Sequence, residues 1–276
     1  MKKLLWLVIG CMSLASFAMA QKPRFSIRPI IGYGLGLGRE ARGTDYDENT
    51  EGEQIKNKNL YYSAGQGIKL GLCAAYSIFD GVGVGADIGY SMGLTSEVAK
   101  DRYLNTWDST WATSTTKTKT SYIFFSPSAV FEKGIMGMIP FCGFGLTFAL
   151  APKSVRTYEY SATGYKVVRE GEHTYKLGMG SCGVVGVKYA LMGGLELTGE
   201  LRVDQLSFKA SHRKLTKYTE NGIDRLADTP TRYKEIEYRE DDTEDNWHDE
   251  SKPEIANTFV VPANSLSIRV GVGYSF

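Results

Sequence analysis

In the last stretch of the chain, Leu266, Ile268, Val270, Val272, Tyr274 and Phe276 alternate with Ser267, Arg269, Gly271, Gly273 and Ser275. A strand sends successive side chains to opposite faces, so this segment has one greasy face and one small or charged face. Similar alternation predicts seven further strands, at about residues 24–37, 61–79, 82–94, 118–132, 139–150, 173–189 and 194–208. In the first, Phe25, Ile27, Ile31, Tyr33, Leu35 and Leu37 share a face; in the third, Val84, Ile88, Tyr90 and Met92 do. The fourth alternates ambiguously. Short turns at 80–81, 133–137 and 191–193 alternate with long loops over roughly 38–60, 95–117, 151–172 and 209–258.

The amino terminus decides what the greasy faces meet. Lys2 and Lys3 precede an apolar stretch, and Ala18-Met19-Ala20 matches a small-x-small cleavage site, so residues 1–20 read as a removed signal peptide. The rival is a lipoprotein signal at Val8-Ile9-Gly10-Cys11, which leaves too short an apolar run before the cysteine. Beyond residue 20, no apolar run approaches the ~20 residues that a membrane helix needs. An exported chain that enters a membrane must then do so as a closed barrel. Residues 21–276 are accordingly expected to be one outer-membrane β-barrel domain.

Composition adds a little. Basic and acidic residues number 32 and 31, which gives no reason to expect a nucleic-acid partner. The 31 glycines and 17 tyrosines suit a glycine-lined interior and aromatic girdles. Tyr61, Tyr62, Tyr122 and Tyr175 are candidates for the loop-side girdle, and Phe79, Phe131, Tyr189 and Tyr274 for the turn-side girdle. Cys73, Cys142 and Cys182 are odd in number after the signal and are expected to be free, buried thiols.

The expected fold is all-β: a transmembrane antiparallel up-and-down barrel of eight strands, with long extracellular loops and short periplasmic turns. This pattern resembles the eight-stranded outer-membrane barrels of diderm bacteria, the OmpA/OmpX-like, porin-like class. The terminal Gly273-Tyr274-Ser275-Phe276 resembles the aromatic carboxy-terminal signal read by the barrel-assembly machinery, which makes Tyr274 and Phe276 the expected assembly signal. The resemblance is one of architecture, with that terminus as its local motif. It implies a bacterial outer-membrane location, with membrane lipid and lipopolysaccharide as surroundings. No peptidoglycan-binding domain is expected after the eighth strand.

With the apolar faces outward, Arg28, Lys69, Asp87, Lys176, Lys188, Glu196, Glu200, Arg202, Asp204 and Arg269 point inward. Charges at membrane depth are expected to pair, and counting from the turns sets Lys188 against Glu196 and Glu200 level with Arg269. An eight-stranded barrel is just wide enough for side chains to fill. Interior packing is therefore the first reading of these charges, and a narrow pore the second.

Other candidate chemistry is thin, and no cofactor or metal site is expected. Gly178-Met179-Gly180-Ser181-Cys182-Gly183 matches a dinucleotide fingerprint but runs into strand rather than helix. His173, His212 and His248 lie in or beside loops, without a triad pattern. Acidic residues crowd 235–250 but lack the spacing of a calcium loop, leaving divalent bridging to lipopolysaccharide as a secondary idea. Two loop segments, around Thr163-Gly164 and Asn221-Gly222, read as protruding hairpins with edges open to an extracellular protein. Trp107 and Trp111, in the second loop, add aromatic contact area. The expectation is a monomeric, non-enzymatic barrel serving envelope structure and surface interaction. A narrow channel for ions or small solutes ranks second, and a rim-located lipid-modifying enzyme third.

Overall fold

The computed structural model describes residues 25–37, 40–48, 54–105, 110–135, 137–240 and 249–276. The expected signal peptide, Trp107, His248 and residues 241–247 of the acidic segment lie outside these. In chain order the strands begin β1 (Phe25–Gly36), β2 (Glu40–Glu48), β3 (Gln54–Tyr62), β4 (Gly67–Phe79), β5 (Val82–Gly93), β6 (Ser96–Asn105), β7 (Thr110–Glu132) and β8 (Met138–Ala162). They continue with β9 (Tyr165–Tyr175), β10 (Gly178–Ala190), β11 (Leu195–Glu220), β12 (Ile223–Asp224), β13 (Glu235–Arg239), β14 (Glu254–Asn257), β15 (Val260–Pro262) and β16 (Ser265–Ser275).

Eight of these strands are hydrogen-bonded in a closed antiparallel circuit. The order is β1, β4, β5, β7, β8, β10, β11, β16, and β16 pairs back onto β1. Each strand of the circuit has two neighbours, so none presents an unpaired edge there. Residues on the two faces are inverted relative to a soluble sheet. Ile31, Leu70, Ile88, Ile123, Phe144, Met179, Leu197 and Ile268, one from each strand, face outward and are 42–59% exposed. On the inner face the same eight strands bury Arg28, Lys69, Asp87, Ser126, Thr147, Lys188, Arg202 and Arg269.

At one end the connections are tight. Gly81, with φ of 77°, turns β4 into β5, and Gly193 and Gly194, with φ of 72° and 84°, sit in the turn from β10 to β11. These backbone conformations favour glycine. At the other end, much of the expected loop sequence is strand. β7, β8 and β11 run on for 23, 25 and 26 residues. Their upper parts, with the shorter strands, form a wall ordered β3, β2, β6, β7, β8, β9, β11, β13, β14. In β7 the wall begins as Thr-Trp-Ala-Thr-Ser-Thr-Thr, where Ala112, Ser114 and Thr116 are buried on one face. Hydropathy barely alternates here, but β-branched threonine fits a pleated surface well. Asn221 and Gly222, with φ of 51° and 82°, make the two-residue turn from β11 to β12.

Barrel and wall meet at a belt of irregularities. The β7–β8 register slips between Ser121 and Ile123, opposite Ala151, which has φ of 46°, and the β9–β11 register slips between Ala210 and His212. Lys176 and Leu177 interrupt the descending strand between β9 and β10, and both are exposed. The expected sixth strand at 173–189 is therefore two strands, with His173 on β9. A bulge shifts the alternation by one residue, so inward positions change parity across the belt.

Candidate functional site

The inner face of the circuit carries one connected ion-pair network. Asp87 lies at its centre, accepting a hydrogen bond from Arg202 Nη1 at 2.5 Å and another from Arg269 Nη2 at 2.9 Å. Arg202 also donates through Nε to Asp204 at 2.7 Å and through Nη2 to Ser126 Oγ at 2.6 Å. Lys69 Nζ donates to the other oxygen of Asp204 at 2.8 Å and to Ser265 Oγ at 2.6 Å. Glu200 faces Arg269 directly across β11 and β16 and pairs with it, while Arg28 Nη2 lies 3.5 Å from the same carboxylate. Arg28 Nη2 also donates to Cys73 Sγ at 3.2 Å. Four cations thus meet three carboxylates, and none of the seven residues is more than 7% exposed.

Glycines make room for these long side chains. A Cβ on Gly32 would come within 2.6 Å of Arg269 Cγ, so the arginine lies across the backbone of β1. A Cβ on Gly89 would meet Phe124 at 2.5 Å. Toward the turn end, Lys188 pairs with Glu132, and Phe141 is flanked by Arg28 Cζ at 5.1 Å and Lys188 Nζ at 5.6 Å. Such contacts hold cations against an aromatic face without a further carboxylate. Ser275 Oγ donates to Glu196 at 2.7 Å.

Toward the wall the lumen turns apolar. Tyr62, Val98, Tyr122, Phe124, Leu206 and Phe208 cluster with Ala64, Ala149, Val261 and Ala263, and Tyr175 packs on Phe208 at 4.8 Å. Between this cluster and the ions lies a void of about 10 Å³, bordered by Lys69, Arg202, Asp204 and Arg269. That is space for about one water.

Three expectations about placement are corrected. Lys176 is not in the lumen: it occupies the break between β9 and β10 and is exposed, because the bulge there reverses the face that even-numbered residues take. Lys188 does not face Glu196. It lies opposite Thr198, and Glu196 lies opposite Ala190, because the connecting turn is centred on Gly193 rather than Met192. Tyr62 and Tyr122, read as girdle residues, are buried inside the circuit, and Tyr175 packs against that inner cluster. On the turn side, Phe79, Tyr189 and Tyr274 do face outward.

Sequence reasoning missed Glu132, the partner of Lys188, because it ends the strand whose alternation was ambiguous. It also missed Ser126 and Ser265, whose hydroxyls carried no signal beyond being small and inward.

The remaining candidates are dispersed. His173 faces Arg213 across β9 and β11, so His212, the next residue of β11, projects to the other side of the sheet. The glycines at 178, 180 and 183 lie within β10, and a Cβ on Gly180 would meet Gln205 O at 1.8 Å, a close approach between strands. Cys73, Cys142 and Cys182 are all free thiols, Cys73 buried and the others partly so. Among the described residues no acidic, histidine or cysteine cluster could hold a metal ion.

No family model matches the chain, and no curated protein matches it in sequence. Among solved structures, it is similar to neisserial surface protein A at 11% identity, covering 94% of this chain and 99% of that one, with a TM-score of 0.36. A major outer membrane protein from Thermus thermophilus shows 14% identity over 93% of this chain and 100% of that one, with a TM-score of 0.37. An outer membrane channel from Pseudomonas putida shows 7% identity over 95% of this chain and 98% of that one, with a TM-score of 0.23. Likenesses this distant carry no argument about what this chain does.

Proposed function

We propose that the chain is an integral outer-membrane barrel that conducts no bulk solute and serves envelope structure and surface interaction through its extracellular wall. The observation that carries this reading is the inverted circuit. Apolar side chains are exposed on all eight strands, whereas soluble monomers rarely expose apolar patches beyond a few hundred Å². Lipid satisfies such a surface, and a closed circuit satisfies the strand backbone within lipid. Twelve-residue strands such as β1 and β5 are long enough to cross at the tilt usual for barrels. The narrower OmpA/OmpX-like class is supported by the eight-strand circuit and by the sorting of short turns to one end and the wall to the other.

The lumen supports a closed barrel over a channel. Its cations are matched by carboxylates and aromatic rings, its wall-side mouth is covered by the apolar cluster, and the void between holds about one water. Phe276 extends the seam, its backbone N–H donating to Phe25 O at 2.8 Å while its ring packs on Tyr274 at 4.8 Å. An assembly factor that reads an aromatic terminus would meet Tyr274 and Phe276 here. With its strands paired in a circle, the barrel needs no second copy to satisfy an edge, which supports a monomer.

The test is planar-bilayer recording on refolded protein whose folding is verified by a heat-dependent shift in gel mobility. A folded and electrically silent barrel is expected. Reproducible conductance steps that change in Arg269→Ala would overturn the closed reading and promote the channel.

A further inference from the structure

Above the apolar cluster, the wall holds charge in a quite different arrangement. Arg156 of β8 lies across from Gly171 of β9, and Gly171 lies across from Leu215 of β11. One step on, Arg169 stands between Tyr158 and Tyr218, and one step back Arg213 faces His173. The three arginines line a single cavity of about 250 Å³ together with Thr116, Tyr158 and His173. Among the described residues no carboxylate lines this cavity, and neither Arg169 nor Arg213 enters an ion pair. Gly171 adds no side chain to the lining, where a Cβ would make ordinary contact with Arg213 Nε at 3.5 Å. The field of the arginines reaches beyond the cavity: burial pushes the Tyr238 hydroxyl pKa up, while Arg213 and Arg156 both oppose that rise.

A second cavity of about 540 Å³ adjoins the first and shares Arg169, Arg213 and Leu215 with it. Its far side differs in chemistry, with Tyr218 and Tyr233 beside the carboxylates Glu220, Asp228 and Glu254. Guanidinium forks match phosphate oxygens, and three of them suit a doubly charged group. Aromatic faces and carboxylates suit the carbon face and hydroxyls of a sugar.

We propose that the arginine cavity binds the phosphate of a phosphorylated saccharide, with the sugar lying in the adjoining cavity. This inference rests on the outer-membrane reading, which places the wall in the external medium. Such a ligand has two sources: a soluble sugar phosphate, or the phosphorylated saccharide of lipopolysaccharide in the surrounding leaflet.

The experiment is calorimetric titration of glucose 6-phosphate into the full chain, folded in phospholipid nanodiscs. Glucose is the parallel titrant. Saturable binding of the phosphate ester is expected, with at least tenfold weaker response to glucose. Arg213→Gln and Arg156→Gln should each lower affinity about tenfold or more, in keeping with loss of a charge-assisted hydrogen bond. Lys217→Gln, on the exposed outer side of β11, should leave it unchanged. Nanodiscs containing lipopolysaccharide separate the sources: reduced affinity for glucose 6-phosphate marks the lipid as occupant, and unchanged affinity marks a soluble one. Equal response to glucose, no saturable binding, or full affinity in both arginine variants would overturn the proposal. A preparation that shows the heat-dependent shift and inserts into nanodiscs but binds nothing sinks only this site. One that does not insert sinks the outer-membrane reading itself.

Discussion

The lumen and the wall cavity are built from the same materials and reach opposite ends. In the lumen, Arg28, Lys69, Arg202 and Arg269 share Asp87, Glu200 and Asp204 around a void of about 10 Å³. In the wall, Arg156, Arg169 and Arg213 converge on about 250 Å³ with no carboxylate among the described residues of the lining. The difference lies in which residues share a face with the arginines. Inside the circuit, neighbouring strands place acids and bases in register. Above the belt of bulges, Arg156 lies opposite Thr118 and Gly171, Arg169 opposite Tyr158 and Tyr218, and Arg213 opposite His173 and Ile236. Arginine content alone therefore says little about a site; what differs is whether acids stand in register with the arginines.

That contrast can be broken by substitution. The largest effect is expected from Asp87→Ala, which leaves Arg202 with Asp204 alone and Arg269 with Glu200 alone, so that four buried cations face two carboxylates. Losing one partner of a buried ion pair costs about 3–5 kcal/mol, read as a drop in the urea midpoint of the folded form. A midpoint that does not move would mean the lumen ions are solvated after all. Gly32→Ala comes next. Its methyl would sit 2.5 Å from Ile268 O and 2.6 Å from Arg269 Cγ, an overpacking expected to cost about 1–3 kcal/mol in the same assay. Arg213→Gln should move stability by no more than about 0.5 kcal/mol, as for surface substitutions away from buried networks. Cooperative loss of folding there would show that the wall arginines are structural and dissolve the comparison.

The smallest effect belongs to the exposed pair of Lys209 and Glu240, 2.7 Å apart. The hydrogen bond from Lys209 holds the Glu240 carboxyl below its usual range. Any stabilisation it adds is present above the ordinary carboxylate pKa and lost as pH falls through the lowered value. Because both side chains are solvated, Glu240→Gln is expected to leave the urea midpoint unchanged at neutral pH.

Alternation made the strands of the circuit legible because lipid-like and interior faces differ so strongly in polarity. It also named most of the lumen ions, and even the level match of Glu200 with Arg269. It failed wherever a single residue of register mattered. Lys176 has the parity of an inward residue and is turned out by one bulge, and Lys188 was matched to the wrong carboxylate because a turn is centred one residue later. The wall escaped for another reason. Its strands are threonine, lysine, glutamate and tyrosine on both faces, so hydropathy has no period to report. The arginine cavity was invisible altogether, because Arg156, Arg169 and Arg213 come together only across three strands.

The pairing of β1 with β16 has a consequence for how the molecule comes into being. The first strand of the circuit cannot be completed on both sides until the last one has arrived, with Phe276 bonded to Phe25. Until then two hydrogen-bonding edges stand open far apart in the sequence, and contacts between distant segments form slowly. Forming the seam is thus the single step that removes both open edges at once.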